Sequence, residues 1–141
     1  MSDDHKPQPP NLDLIQMVQN ARMLHDNDAI PSKVSSVYWI ECKRQGDDPA
    51  PTARSGEFRV TTRVQDVDAL WARIKAATES GELGYKAKVS TRPAADKQHP
   101  DARLICIRTY DADDSADLAR IEAKLRDLGI DGELPYIRDS K

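Results

Sequence analysis

The segment GELGYKAKVST, residues 81 to 91, places Lys86 and Lys88 two positions apart in a run that is typical of a short β-strand. Side chains two positions apart in a strand point to the same face of a sheet, so both ammonium groups are expected on one surface. Three further segments alternate apolar and basic residues in the same way. The cations that this alternation assigns to one face are Arg59, Lys86, Lys88, Arg108 and Arg138.

Such a group of cations predicts an anion site. Arginine binds phosphate oxygens bidentately and lysine acts as a mobile point charge, so the ligand expected here is phosphorylated or otherwise anionic. Hydroxyl groups of Thr61, Ser90 or Tyr136 are expected to complete the coordination. Trp39 is expected on the same face, where its ring offers a stacking surface for an aromatic group.

An ordinary solvated surface is the alternative interpretation. The exposed face of an antiparallel sheet is commonly polar, and its lysines and arginines often pair with carboxylates or prevent aggregation. Against this, Glu41 and Glu57 are among the few acidic residues at strand positions, while most of the 24 aspartates and glutamates lie in segments that predict helices and loops. Both interpretations stay open at the level of sequence.

Composition limits the other classes of function. The chain has 141 residues, enough for one domain, and its net charge of −3 provides no overall field to attract nucleic acid. It contains no long apolar run and no signal peptide, so a cytoplasmic protein without membrane contact is expected. His5, His25 and His99 are too scattered for a metal site, and no cofactor motif is present, so neither a metal nor a cofactor is expected. Cys42 and Cys106 fall in apolar runs and are expected to be free, buried thiols.

Periodicity predicts a disordered tail at residues 1–10 and a single α+β domain at 11–141. The expected elements are a helix from Asn11 to Leu24, strands at 34–43 and 57–63, a helix from Asp66 that Gly81 ends, a strand in the opening segment, a strand at 102–110, a third helix from Asp114 or Ser115 to Gly129, and a last short strand in ELPYIRD. The second helix should bury Val67, Leu70, Trp71, Ile74 and Ala77, and the third Leu118, Ile121, Leu125 and Leu128.

The order of these elements favours a mainly antiparallel sheet with about three helices on one face. Loop-joined strands at 34–63 and at 85–110 suggest two hairpins. The residues expected to face the helices are Phe58, Val60, Ala87, Val89, Ile105, Ile107 and Ile137.

Several segments together carry a family resemblance. With VYWIE at 37–41, VDALW at 67–71, TESGELGYKAKVST at 78–91, LICIRTY at 104–110 and LRDLGIDGELPY at 125–136, the chain resembles the basophilic leukemia-expressed protein family over residues 34 to 139. The resemblance implies a fold similar to that of the messenger-RNA cap-binding initiation factor, a curved antiparallel sheet with helices on its convex side. In cap-binding proteins tryptophans sandwich a methylated guanine and basic residues hold phosphates, and Trp39 is the counterpart here.

The same region is similar, more remotely, to bacterial phosphothreonine lyases and to the lyase domains of some lanthipeptide synthetases. Those enzymes remove phosphate by β-elimination, in which a lysine takes the α-proton and a histidine protonates the leaving oxygen. Lys88, in KVS, matches the lysine base. The family's K-F-H strand corresponds to Glu57, Phe58 and Arg59, so its second lysine and its histidine have no counterpart, and His99 is the nearby candidate acid.

Three functions are therefore expected as alternatives. The first is a small domain that binds a phosphorylated peptide or a small anionic ligand, with a nucleotide as an open possibility. The second is a divergent phosphothreonine or phosphoserine lyase with Lys88 as base. The third is an interaction module that uses the sheet edge or the N-terminal helix and has no small-ligand site.

Overall fold

The computed structural model describes residues 29–34, 36–46, 50–93 and 99–139. These residues form five β-strands, two α-helices and one 3₁₀ turn at Pro31–Lys33. In chain order the strands and helices are β1 (Trp39–Lys43), β2 (Gly56–Arg63), α1 (Val64–Glu79), β3 (Lys86–Ser90), β4 (Ala102–Thr109), α2 (Ser115–Asp127) and β5 (Tyr136–Arg138). The predicted tail and the predicted helix from Asn11 to Leu24 lie outside the described residues.

The strands form one sheet in the order β1-β3-β4-β2-β5, and every neighbouring pair is antiparallel. This confirms the α+β class and the antiparallel sheet. The predicted hairpin of β3 and β4 is confirmed. The predicted hairpin of β1 and β2 is wrong, because β1 pairs with β3 and β2 pairs with β4. That pairing runs along all of β2, from Gly56 to Arg63, and it uses the apolar β4 as a central strand.

One core joins the sheet to both helices, which pack on the same face. The predicted stripe of α1 is fully buried, and Trp71 is only 1% exposed. From α2, Ile121 and Leu125 are buried, while Leu118 and Leu128 are partly buried against the cluster. The buried residues of the sheet are Ile40, Cys42, Phe58, Val60, Ala87, Val89, Ile105 and Ile107. Each large aliphatic side chain buried in this way stabilises the fold by about 1.5–3 kcal/mol. Because the apolar residues of the sheet are buried on the helix side, the opposite face is left for polar residues.

Helix ends follow the predicted signals. Asp114 caps α2, where its carboxylate accepts a hydrogen bond from the Asp117 N–H at 3.1 Å. Gly81 and Gly129 follow the two helices with φ of 85° and 104°, a conformation that costs glycine little because it has no Cβ. Residues 111–117 contain four aspartates, and helix capping accounts for one of them, Asp114.

Backbones approach closely where β3 begins. The Tyr85 N–H donates to the Arg108 carbonyl at 3.2 Å, directly after Gly84. A Cβ at position 84 would overlap that carbonyl, so only glycine fits there.

Two boundaries differ from the prediction. β1 begins at Trp39, later than Val34, because the preceding residues form the 3₁₀ turn and bends. The prediction that Ile137 faces the core is wrong, since it pairs with Glu57 and is 40% exposed. Neither described helix is long and apolar enough to cross a membrane.

Candidate functional site on the open face of the sheet

The sheet face opposite the two helices, called the open face below, carries most of the predicted site. Two residues that pair across neighbouring strands point to the same face of the sheet. The strand pairing therefore shows which residues share the open face. They are Trp39, Glu41, Lys43, Glu57, Arg59, Thr61, Lys86, Lys88, Ser90, Leu104, Cys106, Arg108 and Ile137. Four of the five predicted cations, from three strands, therefore share one surface.

Glu57 is the carboxylate around which two of these cations assemble. Its side chain is 8% exposed; Arg59 Nε donates to Oε2 at 2.7 Å and Arg108 Nη1 donates to Oε1 at 3.1 Å. Burial raises the pKa of Glu57, but the hydrogen bonds from Arg59 and Arg108 outweigh burial and hold the pKa below its usual value. Glu57 is consequently ionised and neutralises part of the positive charge.

Arg108 has a second carboxylate, which lies just beyond β5. Its Nη2 donates to Asp139 Oδ2 at 2.6 Å and to Ser55 Oγ at 3.1 Å, and its Nε donates to the Tyr85 hydroxyl at 3.2 Å. The hydrogen bond from Arg108 lowers the pKa of Asp139 to about 2. With both ends of its guanidinium occupied, Arg108 acts mainly as a structural clamp between β4, β2 and the end of β5.

Lys88 differs from the arginines. Its Nζ lies 4.3 Å from the centroid of the Trp39 ring, a cation–π contact, and within the described part of the chain it forms no ion pair with a carboxylate. Lys86, by contrast, lies 3.5 Å from Glu41, a pair that solvent screens because the Glu41 side chain is 44% exposed. The register places Glu41 opposite Lys88, but the Glu41 carboxylate approaches Lys86 instead, so among the described residues Lys88 is a half-buried cation of the face with no carboxylate at ion-pair distance.

Two residues predicted for the site lie on the other face, and the prediction is wrong for both. Tyr136 pairs with Phe58, which it contacts edge-on at 4.9 Å between ring centroids, and its hydroxyl lies 2.7 Å from Thr109 Oγ1. Arg138 pairs with Gly56 on this same side and binds Asp113. Tyr136 and Ile137 are both apolar enough to face a core. The prediction placed Ile137 on the helix face, whereas Tyr136 lies there, so the predicted face was wrong for every side chain of β5.

Cys106 lies beneath Lys88 and Arg59 on the open face. Burial, together with the neighbouring Glu57 carboxylate, raises the pKa of its thiol to about 12. Cys42 lies on the helix face, where burial likewise raises the pKa to about 12. Neither thiol is poised as a nucleophile, and they occupy opposite sides of the sheet.

Other candidate groups lie away from the open face. His99 precedes β4, is largely exposed, and has its Nδ1 3.7 Å from Asp101 Oδ1. The His99 carbonyl accepts a hydrogen bond from the Ala102 N–H at the start of β4. Cys106, the cross-strand partner of Lys88, lies four residues further along β4, a distance of roughly 13 Å, so His99 is far from Lys88. In the described ranges, no three histidine, cysteine or acidic side chains are grouped so as to hold a metal ion. A cavity of about 790 Å³ also lies elsewhere, at the β2 edge of the sheet.

Sequence reasoning missed the partners that compensate these cations. Arg108 contacts Asp139, Ser55 and Tyr85 only because of the order of the strands in the sheet. No local sequence pattern predicts these contacts. Glu57 did give a signal, since it lies two positions before Arg59 in a strand and so shares its face.

Fold and site together define a small α+β domain with an open antiparallel sheet, two described helices on one face and a predominantly cationic cluster on the other. The family model of basophilic leukemia-expressed protein Bles03 matches residues 50–134, more than half of the chain, and the chain belongs to this family. The family predicted from the sequence is confirmed. No curated protein matches the chain.

Proposed function

We propose that the open face binds a phosphorylated or other anionic ligand. The observation that carries this proposal is the Lys88 ammonium, which is half-buried and contacts an aromatic ring instead of a carboxylate among the described residues. Partial burial removes some of the hydration of a charged group, and a bound anion would replace that hydration with an ion pair. Lys88 therefore gains more from a ligand than a fully solvated lysine does.

Neighbouring cations strengthen the site. Five cationic side chains share the region with three carboxylates, so its local charge is positive although the net charge of the chain is −3; the cations are Lys43, Arg59, Lys86, Lys88 and Arg108, and the carboxylates are Glu41, Glu57 and Asp139. A charge-assisted hydrogen bond contributes about 1.5–3 kcal/mol. Three such bonds at the upper value total about 9 kcal/mol, and an association cost of about 5 kcal/mol leaves about 4 kcal/mol, which corresponds to a dissociation constant of about 1 mM for inorganic phosphate.

The ligand proposed here also has an apolar or aromatic part. Trp39 lies beside Lys88 on the open face, whereas Trp71 is buried in the core, so a single indole is offered for stacking. The antiparallel sheet with both described helices on one side supports the further proposal of a cap-binding-like fold. Trp39 is half-buried, with Lys88 on its ring and the Tyr38 ring 5.0 Å away between centroids, and this single indole favours a phosphorylated peptide or small aromatic phosphate over a ligand that needs two stacking tryptophans.

The direct test is a titration of the full chain with inorganic phosphate and with a phosphothreonine peptide, followed by isothermal titration calorimetry and by Trp39 fluorescence. We expect Lys88→Ala to weaken phosphate binding about tenfold, because one charge-assisted contact is lost. Lys33→Ala is the matched control, since it removes one exposed positive charge from the 3₁₀ turn beside α1 and should leave the affinity unchanged. Equal binding by the wild type and Lys88→Ala would refute the proposal.

A β-eliminating lyase with Lys88 as base is the second candidate. It is supported by the same uncompensated ammonium, but a leaving phosphate also needs a proton donor. Arg59 occupies the position of the lyase histidine and is too basic to donate, and Cys106 is buried with a pKa of about 12. The enzyme hypothesis predicts that a phosphothreonine peptide loses the mass of phosphoric acid on incubation and that Lys88→Ala abolishes the loss. Binding without any mass change would reject it.

We also propose a cytoplasmic location. Two buried thiols that lie on opposite faces of the sheet and cannot pair with each other suit a reducing compartment. Fractionation of cells that express the tagged full chain tests this, and recovery from a secretory compartment would contradict it.

A further inference from the structure

A cavity lies along the outer edge of β2, on the other side of Arg59 from Lys86, Lys88 and Arg108. Its volume is about 790 Å³, and it is bounded by β2, the first turns of α1 and the loop at residues 129–135. Val60, Leu70 and Ile130 form a buried apolar floor. The cavity lies beside a strand and has an apolar base and polar walls.

The strand that borders this cavity has an open edge. β5 pairs only with Gly56 to Phe58, and the Arg59 N–H donates to the Pro135 carbonyl at 3.0 Å, after which no described strand continues along β2. Backbone groups of a strand alternate between its two neighbours, so the N–H and C=O of Thr61 point outward as those of Arg59 do. Within the described chain, neither group of Thr61 has a hydrogen-bond partner on that side.

The walls of the cavity carry acidic side chains. Asp66, Asp131 and Glu133 are exposed at its rim, and none of the three forms an ion pair with a described cation. Two arginines also line the cavity, but Arg59 directs its Nε to Glu57 and Arg73 donates its Nε to the Leu128 carbonyl at 3.0 Å. The Leu128 carbonyl does not neutralise Arg73, so three carboxylates face one guanidinium without a described ion-pair partner, and the net charge of the rim is negative.

We propose that this groove binds an extended, basic segment of a partner protein, which adds to β2 as an edge strand. Backbone groups of the segment would hydrogen-bond the N–H and C=O of Thr61, as peptides do in other cases of strand addition. An inward-facing apolar side chain would cover Val60 and Leu70, and lysine or arginine side chains two positions away would reach the acidic rim. A small amine could satisfy the carboxylates but not the paired donor and acceptor of the backbone, so the geometry favours a peptide.

The probe is a synthetic peptide with blocked ends that carries valine and lysine in turn at every second position and threonine between them, so that valine and lysine share one face of the strand. It is titrated into the full chain by NMR and calorimetry. Thr61→Pro removes the outward N–H while the pairing with β4 is kept, because that N–H does not point toward β4. We expect it to weaken peptide binding at least about fivefold, the equivalent of one backbone hydrogen bond. Thr61→Ala is the matched control: it keeps the N–H and should bind normally.

A second pair of measurements covers the case in which Thr61→Pro fails to fold. The same peptide with N-methyl groups on alternate amides keeps its charge but cannot donate from that edge, and it should bind the wild type at least about fivefold more weakly. The double variant Asp131→Asn, Glu133→Gln should weaken binding and reduce its salt dependence.

No binding by the wild type, or equal binding of the methylated and unmethylated peptides, would overturn the proposal. Dimerisation of the chain through this edge would overturn it as well. Lys88→Ala should leave peptide binding unchanged, which separates this site from the open face.

Discussion

Replacing Glu57 by glutamine should lower the stability of the fold while raising the affinity of the open face for anions. Glutamine keeps the size of the side chain but turns one acceptor oxygen into a donor, which then faces a guanidinium. Glu57 is 8% exposed and accepts from Arg59 and Arg108, whose side chains are 44% and 16% exposed. Breaking a fully buried pair costs about 3–5 kcal/mol, and the solvent access of Arg59 reduces that figure to about 2–3 kcal/mol here.

The gain in anion affinity comes from the removed negative charge. At a separation of roughly 7 Å and an effective dielectric constant of about 40, two unit charges interact by about 1 kcal/mol. Phosphate on the open face should therefore bind Glu57→Gln about fivefold more tightly than the wild type at low salt. Glu41→Gln is the matched control, because Glu41 pairs with Lys86 while being 44% exposed, so the change should raise the affinity with little loss of stability.

Urea unfolding and phosphate titration measure the two effects independently. The folded-state pKa of Glu57 is lowered, so its contribution to stability is complete above the unfolded pKa of about 4.3 and is lost as pH falls through the folded pKa. The stability difference between wild type and Glu57→Gln should accordingly shrink as pH falls from about 6 to about 3. A well-folded Glu57→Gln protein with unchanged or weaker phosphate affinity would refute the electrostatic reasoning.

Three further outcomes are expected. Gly84→Ala should abolish or severely reduce folding in thermal unfolding experiments because its Cβ would overlap the Arg108 carbonyl, whereas Gly132→Ala, with open space around its Cβ, should be nearly neutral. The Cys106 thiol should resist iodoacetamide until the protein unfolds, and labelling of the native protein would contradict its burial and its pKa of about 12. Asp139→Asn should flatten the loss of stability between about pH 4 and pH 2, by no more than about 1 kcal/mol because the side chain is 41% exposed; an unchanged pH profile would argue against its pairing with Arg108.

The sequence predicted the parts of the fold that local chemistry determines. Helical spacing identified the α1 stripe around Trp71, and glycines at positions 81 and 129 marked both helix ends. Alternation assigned β2, β3 and β4 to their correct faces because each contains at least two buried residues in phase. β5 has only three residues, of which Tyr136 and Ile137 compete for the core, so its phase was not determined locally.

Strand order is the part that local chemistry could not supply, and it decides how much charge the open face retains. The acidic residues are sparse within the strands, which suggested a strongly cationic surface. Pairing β5 beside β2 nevertheless carries Asp139 to Arg108, and the β2–β4 register places Glu57 between two arginines. Compensation is thus concentrated on the arginine side of the face, where the side chains hold the sheet together. The uncompensated charge remains toward β3 at Lys88, and for that reason an anionic ligand is expected there and not at the centre of the arginine cluster.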